Sequence, residues 1–126
     1  MTLPKKKILI VDDDSRNIFA LNLVLRSKGY TSVSATDAET GIKMLHQDNG
    51  IGVVLMDMMM PGIDGYEAMA RLKADPELAK VPVIAVTAQA MTGDREKILA
   101  AGATAYVSKP VDVDALVNLL ETYLNE

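Results

Sequence analysis

Cysteine is absent from this chain, which excludes a disulfide framework, a thiolate metal site and a thiol nucleophile. Histidine occurs once, so His46 can be at most one ligand of any metal, and its setting fits an exposed helix surface. No apolar run approaches the roughly 20 residues that a membrane-spanning helix needs. The only basic run, Lys5 to Lys7, precedes just four β-formers, too few for the core of a signal peptide. Basic residues number 13 against 17 acidic ones, a net charge of −4, so the electrostatic footprint that holds nucleic acid is missing. Neither G-x-x-x-x-G-K-[ST] nor G-x-G-x-x-G occurs, which removes the common nucleotide-binding loops. There is no internal repeat and no low-complexity segment. These absences suit a cytoplasmic protein with no membrane partner and no direct nucleic-acid partner.

What remains is the composition of a globular protein, 49% apolar and 24% charged. Its 126 residues suffice to bury a proper core, and we expect one domain over 1–126. Two periods alternate. β-rich runs occur at Lys7 to Val11, Ser32 to Ala35, Val53 to Met56, Val83 to Val86 and Ala105 to Val107. Between them apolar residues recur at helical spacing: Ile18, Leu21 and Leu25, then Ala38, Ile42 and Leu45, and most clearly Val113, Leu116, Val117, Leu120 and Leu124. Weaker helical stretches run from Tyr66 to Lys73 and from Asp94 to Ala101. Gly29 and Gly102 stand where helices should stop, Pro76 ends the third helix, and Pro82 opens the fourth strand. Strict alternation of five strands and five helices predicts an α/β, doubly wound parallel sheet covered on both faces. The strands lack polar alternation, as such a sheet requires. The last helix ends almost at the C-terminus, so no effector domain is expected to follow.

Chemistry in such a sheet collects beyond the carboxyl ends of the strands. The first strand ends in Asp12 and Asp13, the third in Asp57, the fourth in Thr87, and the fifth in Ser108 and Lys109 before Pro110. The second ends at Thr36 and Asp37, which a helix N-cap explains. In "ILIVDDD" three like charges sit together, and such crowding is tolerable as a solvated cap or around a cation. Capping accounts for Asp14 or Ser15 but not for Asp57 and Lys109 at matching places on other strands. Oxygen ligands without histidine or cysteine describe a hard-cation site, with Mg²⁺ the natural occupant of Asp12, Asp13 and Asp57. Lys109 adds a second positive charge. The methionines at 56 and 58–60 could suggest a soft metal, but the neighbouring acids favour a hard one.

"ILIVDDD", "VVLMDMMMPGIDG", "VIAVTA" and "AYVSKP", in that order and spacing, resemble the receiver domain of bacterial two-component response regulators. The likeness covers essentially the whole chain; its spacing is similar to that of single-domain chemotaxis receivers, and its detail leans toward receivers of hybrid histidine kinases. The resemblance implies the flavodoxin-like receiver fold, with strand order 2-1-3-4-5. It implies that Asp57 accepts a phosphoryl group from a phosphohistidine, on a histidine kinase or histidine phosphotransfer protein. It further implies that Asp12, Asp13, Asp57 and the backbone carbonyl of Met59 hold Mg²⁺, and that Lys109 and Thr87 contact the phosphoryl oxygens. Lys109–Pro110 matches the family's cis peptide bond. Tyr106, which could otherwise be plain core, looks like the aromatic switch that follows Thr87. The implied output surface, read by an unidentified downstream protein, comprises helix four, strand five and helix five, including Met91, Lys97 and Tyr106. Met59 and Gln89 occupy positions that vary among receivers and affect rate; methionine cannot orient a hydrolytic water.

Gly62 and Gly65 in "PGIDG" fit a turn before a helix rather than a phosphate cradle. Ile18 and Phe19, beside the acid pocket, are candidates for kinase docking, provided that Phe19, off the apolar stripe, is exposed. The chain is expected to signal rather than to turn over a substrate, beyond its own phosphorylation and dephosphorylation. The nearest chemical rival is an aspartyl-phosphate phosphohydrolase of haloacid dehalogenase type. That family carries an aspartate two residues after its nucleophile, where this chain has Met59. A receiver-like interaction module without phosphorylation is disfavoured because every acid, hydroxyl and lysine position is filled.

Overall fold

Four consecutive β-formers, Ile8 to Val11, cannot hide on one face of a strand, so both faces must be covered. The computed structural model, which describes residues 6–58, 64–88 and 92–124, shows how. Strands β1 (Lys7–Val11), β2 (Ser32–Ala35), β3 (Ile51–Asp57), β4 (Val83–Thr87) and β5 (Ala105–Ser108) form one parallel sheet in the order β2-β1-β3-β4-β5. Helices α1 (Ser15–Ser27), α2 (Ala38–Gln47), α3 (Gly65–Ala74), α4 (Thr92–Ala100) and α5 (Val113–Leu124) alternate with them. This is the doubly wound, flavodoxin-like arrangement that the alternation and the family resemblance predict.

The sheet divides the core into two clusters. Leu9, Val11, Val54, Met56, Val83 and Ala85 pack with α2, α3 and Ile98 of α4. Ile8, Ile10, Val53, Leu55, Ile84 and Val86 pack with Ile18 and Leu25 of α1 and Leu116 and Leu120 of α5. Alternate residues of one strand thus serve opposite faces, and each face is apolar.

Local chemistry sets the punctuation. Asp14, Asp37 and Asp64 cap α1, α2 and α3, accepting from the amides of Arg16, Thr40 and Glu67. Gly29 and Gly102 have φ of 89° and 118°, the left-handed backbone that lets a helix stop sharply. Helix α3 ends at Ala74 with Asp75 as its cap, one residue ahead of Pro76, whose ring disfavours helix in the residue before it. The strand and helix ends differ from expectation by one or two residues. β3 starts at Ile51 and reaches Asp57, because its N-terminal residues also find partners on β1; Lys7 pairs with Ile51 across an irregularity. β4 extends to Thr87 and β5 to Ser108, which pair with each other. α4 runs from Thr92 to Ala100 rather than Asp94 to Ala101.

Register places the chemistry. Val11 pairs with Met56, so Asp12 and Asp57 emerge side by side where strand order reverses between β1 and β3. Asp57 pairs with Val86 and Thr87 with Ser108, which carries Lys109 to the same edge.

Candidate functional site

Buried polar side chains are expensive unless they are paired or used. Among the described residues the buried polar or charged side chains are Asp12, Asp57 and Thr87, and all three stand at the carboxyl edge of the sheet. Asp12 is 3% and Asp57 4% exposed, whereas Asp13 opens to solvent. Ligand oxygens of Asp12, Asp13 and Asp57 all lie within 4.8 Å of one another. The Lys109 ammonium stands between the two buried carboxylates, with Nζ 3.6 Å from Asp57 Oδ1 and 4.0 Å from Asp12 Oδ2.

Backbone hydrogen bonds fix this edge. The Asp14 amide donates to Asp12 Oδ1 at 2.8 Å, turning the chain from β1 into α1. The Met58 amide donates to the Val86 carbonyl at 3.0 Å, and the Lys109 amide to the Thr87 carbonyl at 2.7 Å. The Lys109–Pro110 bond is cis, as the resemblance implies. Gly65 lets α3 start against the site: a Cβ there would lie 2.6 Å from Met58 Sδ and 2.7 Å from its Cα. Asp14, by contrast, is a cap; the backbone amide of Arg16, helped by its guanidinium, holds the carboxyl below the usual range.

The donor set fits a divalent cation. Three carboxylates against one ammonium leave two formal negative charges in one partly buried pocket. All the side-chain donors are oxygen, the choice of Mg²⁺ or Ca²⁺ rather than of a softer metal. Asp13 supplies the solvent-facing side through which an ion and its waters would enter.

The predicted residues Asp12, Asp13, Asp57 and Lys109 are thus brought together, with Thr87 at the same edge. Met59, Gly62, Gln89 and Met91 lie outside the described residues. Tyr106 is half-buried on β5, packed against the α2–α3–α4 side of the core. His46 sits on the α2 surface as expected, Nε2 2.8 Å from Asp75 and Nδ1 3.3 Å from Glu77. Of the two docking candidates on α1, Phe19 is 66% exposed, whereas Ile18 is 7% exposed and packs in the core with Leu25, which removes it as a docking contact. Two features escaped the sequence. Leu23, one turn beyond Phe19, is 54% exposed; its place off the Ile18, Leu21, Leu25 stripe was the available signal. The Arg95 guanidinium lies 5.5 Å from the Tyr106 ring centroid, and Lys97, placed on the output surface, has its ammonium 4.9 Å from the Tyr66 ring. Sequence spacing carries no signal for either pair.

Residues 8–121 match the family model described as the response regulator receiver domain. The polar-differentiation response regulator DivK of Brucella anthropi is 34% identical over 121 residues, which cover 96% of this chain and 98% of that protein. The receiver domain of sensor histidine kinase PA1611 from Pseudomonas aeruginosa PAO1, solved with a magnesium ion in its active site cleft, is 32% identical. It superposes with a TM-score of 0.87 over 98% of this chain and 100% of that one. The receiver domain of Saccharomyces cerevisiae Ssk1, co-crystallised with the histidine phosphotransfer protein Ypd1, shares 24% identity and the fold, at a TM-score of 0.85 over 99% and 92% of the two chains.

Proposed function

Since the chain belongs to the receiver domain family of response regulators, we propose that it is the phosphoacceptor of a two-component system, with Asp57 as the residue phosphorylated. One observation carries this reading: the fold buries Asp12, Asp57 and Thr87 at one edge and puts Lys109 within 4.0 Å of both carboxylates.

An Asp57 oxygen attacks phosphorus in line as the bond to the histidine nitrogen breaks; the phosphohistidine ring, protonated on its other nitrogen, takes the electron pair and leaves as neutral imidazole, and Asp57 becomes an acyl phosphate. Catalysis of such a transfer is positioning plus cancellation of charge on the equatorial oxygens. Mg²⁺, held by Asp12, Asp13, Asp57 and the Met59 carbonyl, would supply part of that cancellation. Lys109, whose Nζ lies 3.6 Å from Asp57 Oδ1, supplies the rest, and the Thr87 hydroxyl and Ala88 amide donate to a phosphoryl oxygen. Once Thr87 is drawn in, the Tyr106 ring follows, and the surface of α4, β5 and α5 changes shape for a downstream protein. Apolar Met59 slows attack by water and prolongs the phosphorylated state.

The partners are a histidine kinase or histidine phosphotransfer protein on the input side, docking on exposed Phe19 and Leu23 of α1, and a protein reader on the output side. A solved neighbour bound to such a phosphotransfer protein supports the first. No described helix is long and apolar enough to cross a membrane. We place the chain in the cytoplasm, acting over 1–126 as one receiver domain that catalyses only its own phosphorylation and dephosphorylation.

Incubation with acetyl phosphate and Mg²⁺, followed by intact mass, should give one phosphoryl adduct on the wild type and none on the nearly isosteric Asp57→Asn, which should still fold. Label trapped on Asp12 or Asp13 would overturn the assignment. Turnover without an adduct would favour a hydrolase.

A further inference from the structure

Tyr106 and Thr87 lie on the same face of neighbouring strands. Ala85 pairs with Tyr106, and Thr87 is two residues further along the same strand, so its side chain leaves the sheet on the same side. Ala85, the ring's register partner, carries only a methyl group. A half-buried ring needs a reason to stay at the surface. The structure supplies one. The ring lines an open groove of about 650 Å³ together with Arg95, Ser108, Asp112 and Asn118, and the Arg95 guanidinium lies 5.5 Å from its centroid. A cation over an aromatic face is attracted by the ring quadrupole, and arginine stacks there better than lysine. Arg95 sits on α4 and is exposed.

We infer that Arg95 is a latch: it holds Tyr106 outward in the groove and sets how much of the switch has moved before any phosphoryl group arrives. This rests on the reading of Tyr106 as the switch residue. Arg95 touches none of the reacting groups and acts only on the resting equilibrium between two ring positions. A surface cation–π contact is worth a factor of roughly two to five in that ratio. Ligand-induced switching inherits the same factor, because apparent affinity scales with the population already competent.

The chain has 4 tyrosines, so ring-¹³C-labelled tyrosine gives a sparse spectrum that Tyr106→Phe assigns. The probe is beryllofluoride with Mg²⁺, titrated into wild type, Arg95→Ala and Arg95→Lys. Arg95→Ala should move the resting Tyr106 signal toward its beryllofluoride-bound position and lower the titration midpoint roughly two- to fivefold. Arg95→Lys should fall between the two. An unchanged or raised midpoint in Arg95→Ala would overturn the latch, and so would equal shifts in both variants, since the charge over the ring would then be irrelevant. A Tyr106 signal indifferent to beryllofluoride in the wild type would instead overturn the switch reading itself, and the latch with it.

Discussion

Asp13 and Phe19 are both exposed, and each can be removed without opening the core. Phe19→Ala should change stability by no more than about 0.5 kcal/mol, the usual range for a surface substitution. It should slow phosphoryl transfer from the partner kinase while leaving uptake from acetyl phosphate unchanged; equal slowing of both would place Phe19 in the chemistry rather than in docking. The convergence of the acids, Thr87 and Lys109 was legible because each ends a β-rich run, and strand ends in a doubly wound sheet converge by topology alone. Exposure was less legible. Phe19 could have turned inward, and only the packing of α1 through Ile18 and Leu25 decides that it does not. Arg95 was invisible, since a cation finds an aromatic ring only after two elements distant in sequence have packed.

Helix starts carry testable chemistry of their own. The Thr40 amide and hydroxyl hold the Asp37 carboxyl below its usual range, so the ionised form is preferred in the fold. A depressed carboxylate contributes stability above its unfolded value and loses it as pH falls through the folded one. Asp37→Asn keeps a cap at neutral pH. The melting temperature of that variant should therefore fall less steeply than wild type on the acid side of the carboxylate range, as thermal melts across pH would show. At α3 the constraint is steric. Gly65→Ala puts a methyl group into Met58 and should cost about 1–3 kcal/mol, seen as a lower urea midpoint with an unchanged slope. The sequence marked Gly65 as a turn residue; that Met58 backbone stands behind it depends on how α3 docks against β3. Element ends were legible to within one or two residues, because ladder pairing, which decides the last residue of β3, β4 and β5, belongs to the neighbouring strand.

For the molecule as a whole, the two uncancelled charges of the acidic pocket predict a stability that depends on cations. Anything that binds only the folded state raises its melting temperature by mass action. Millimolar Mg²⁺ should raise that of the wild type and have little effect on Asp13→Ala; a wild type indifferent to Mg²⁺ would count against the metal assignment. The architecture was legible because alternating periods leave few topologies, and the short β-rich runs required both faces to be covered. The sheet has a consequence for wiring. Helix α1, with Phe19 and Leu23, packs on the Ile8 and Leu55 side, whereas Tyr106 and α4 belong to the Val54 and Ala85 side. The proposed docking helix and the Tyr106 ring therefore lie on opposite faces of an apolar partition whose rim carries Asp57, Thr87 and Lys109, while α5 shares the face of α1. On the proposed reading, a lineage can rewrite Phe19 and Leu23 on α1 to change which kinase it hears without touching the Tyr106 and α4 side, whereas any change to α5 falls on the face that α1 shares.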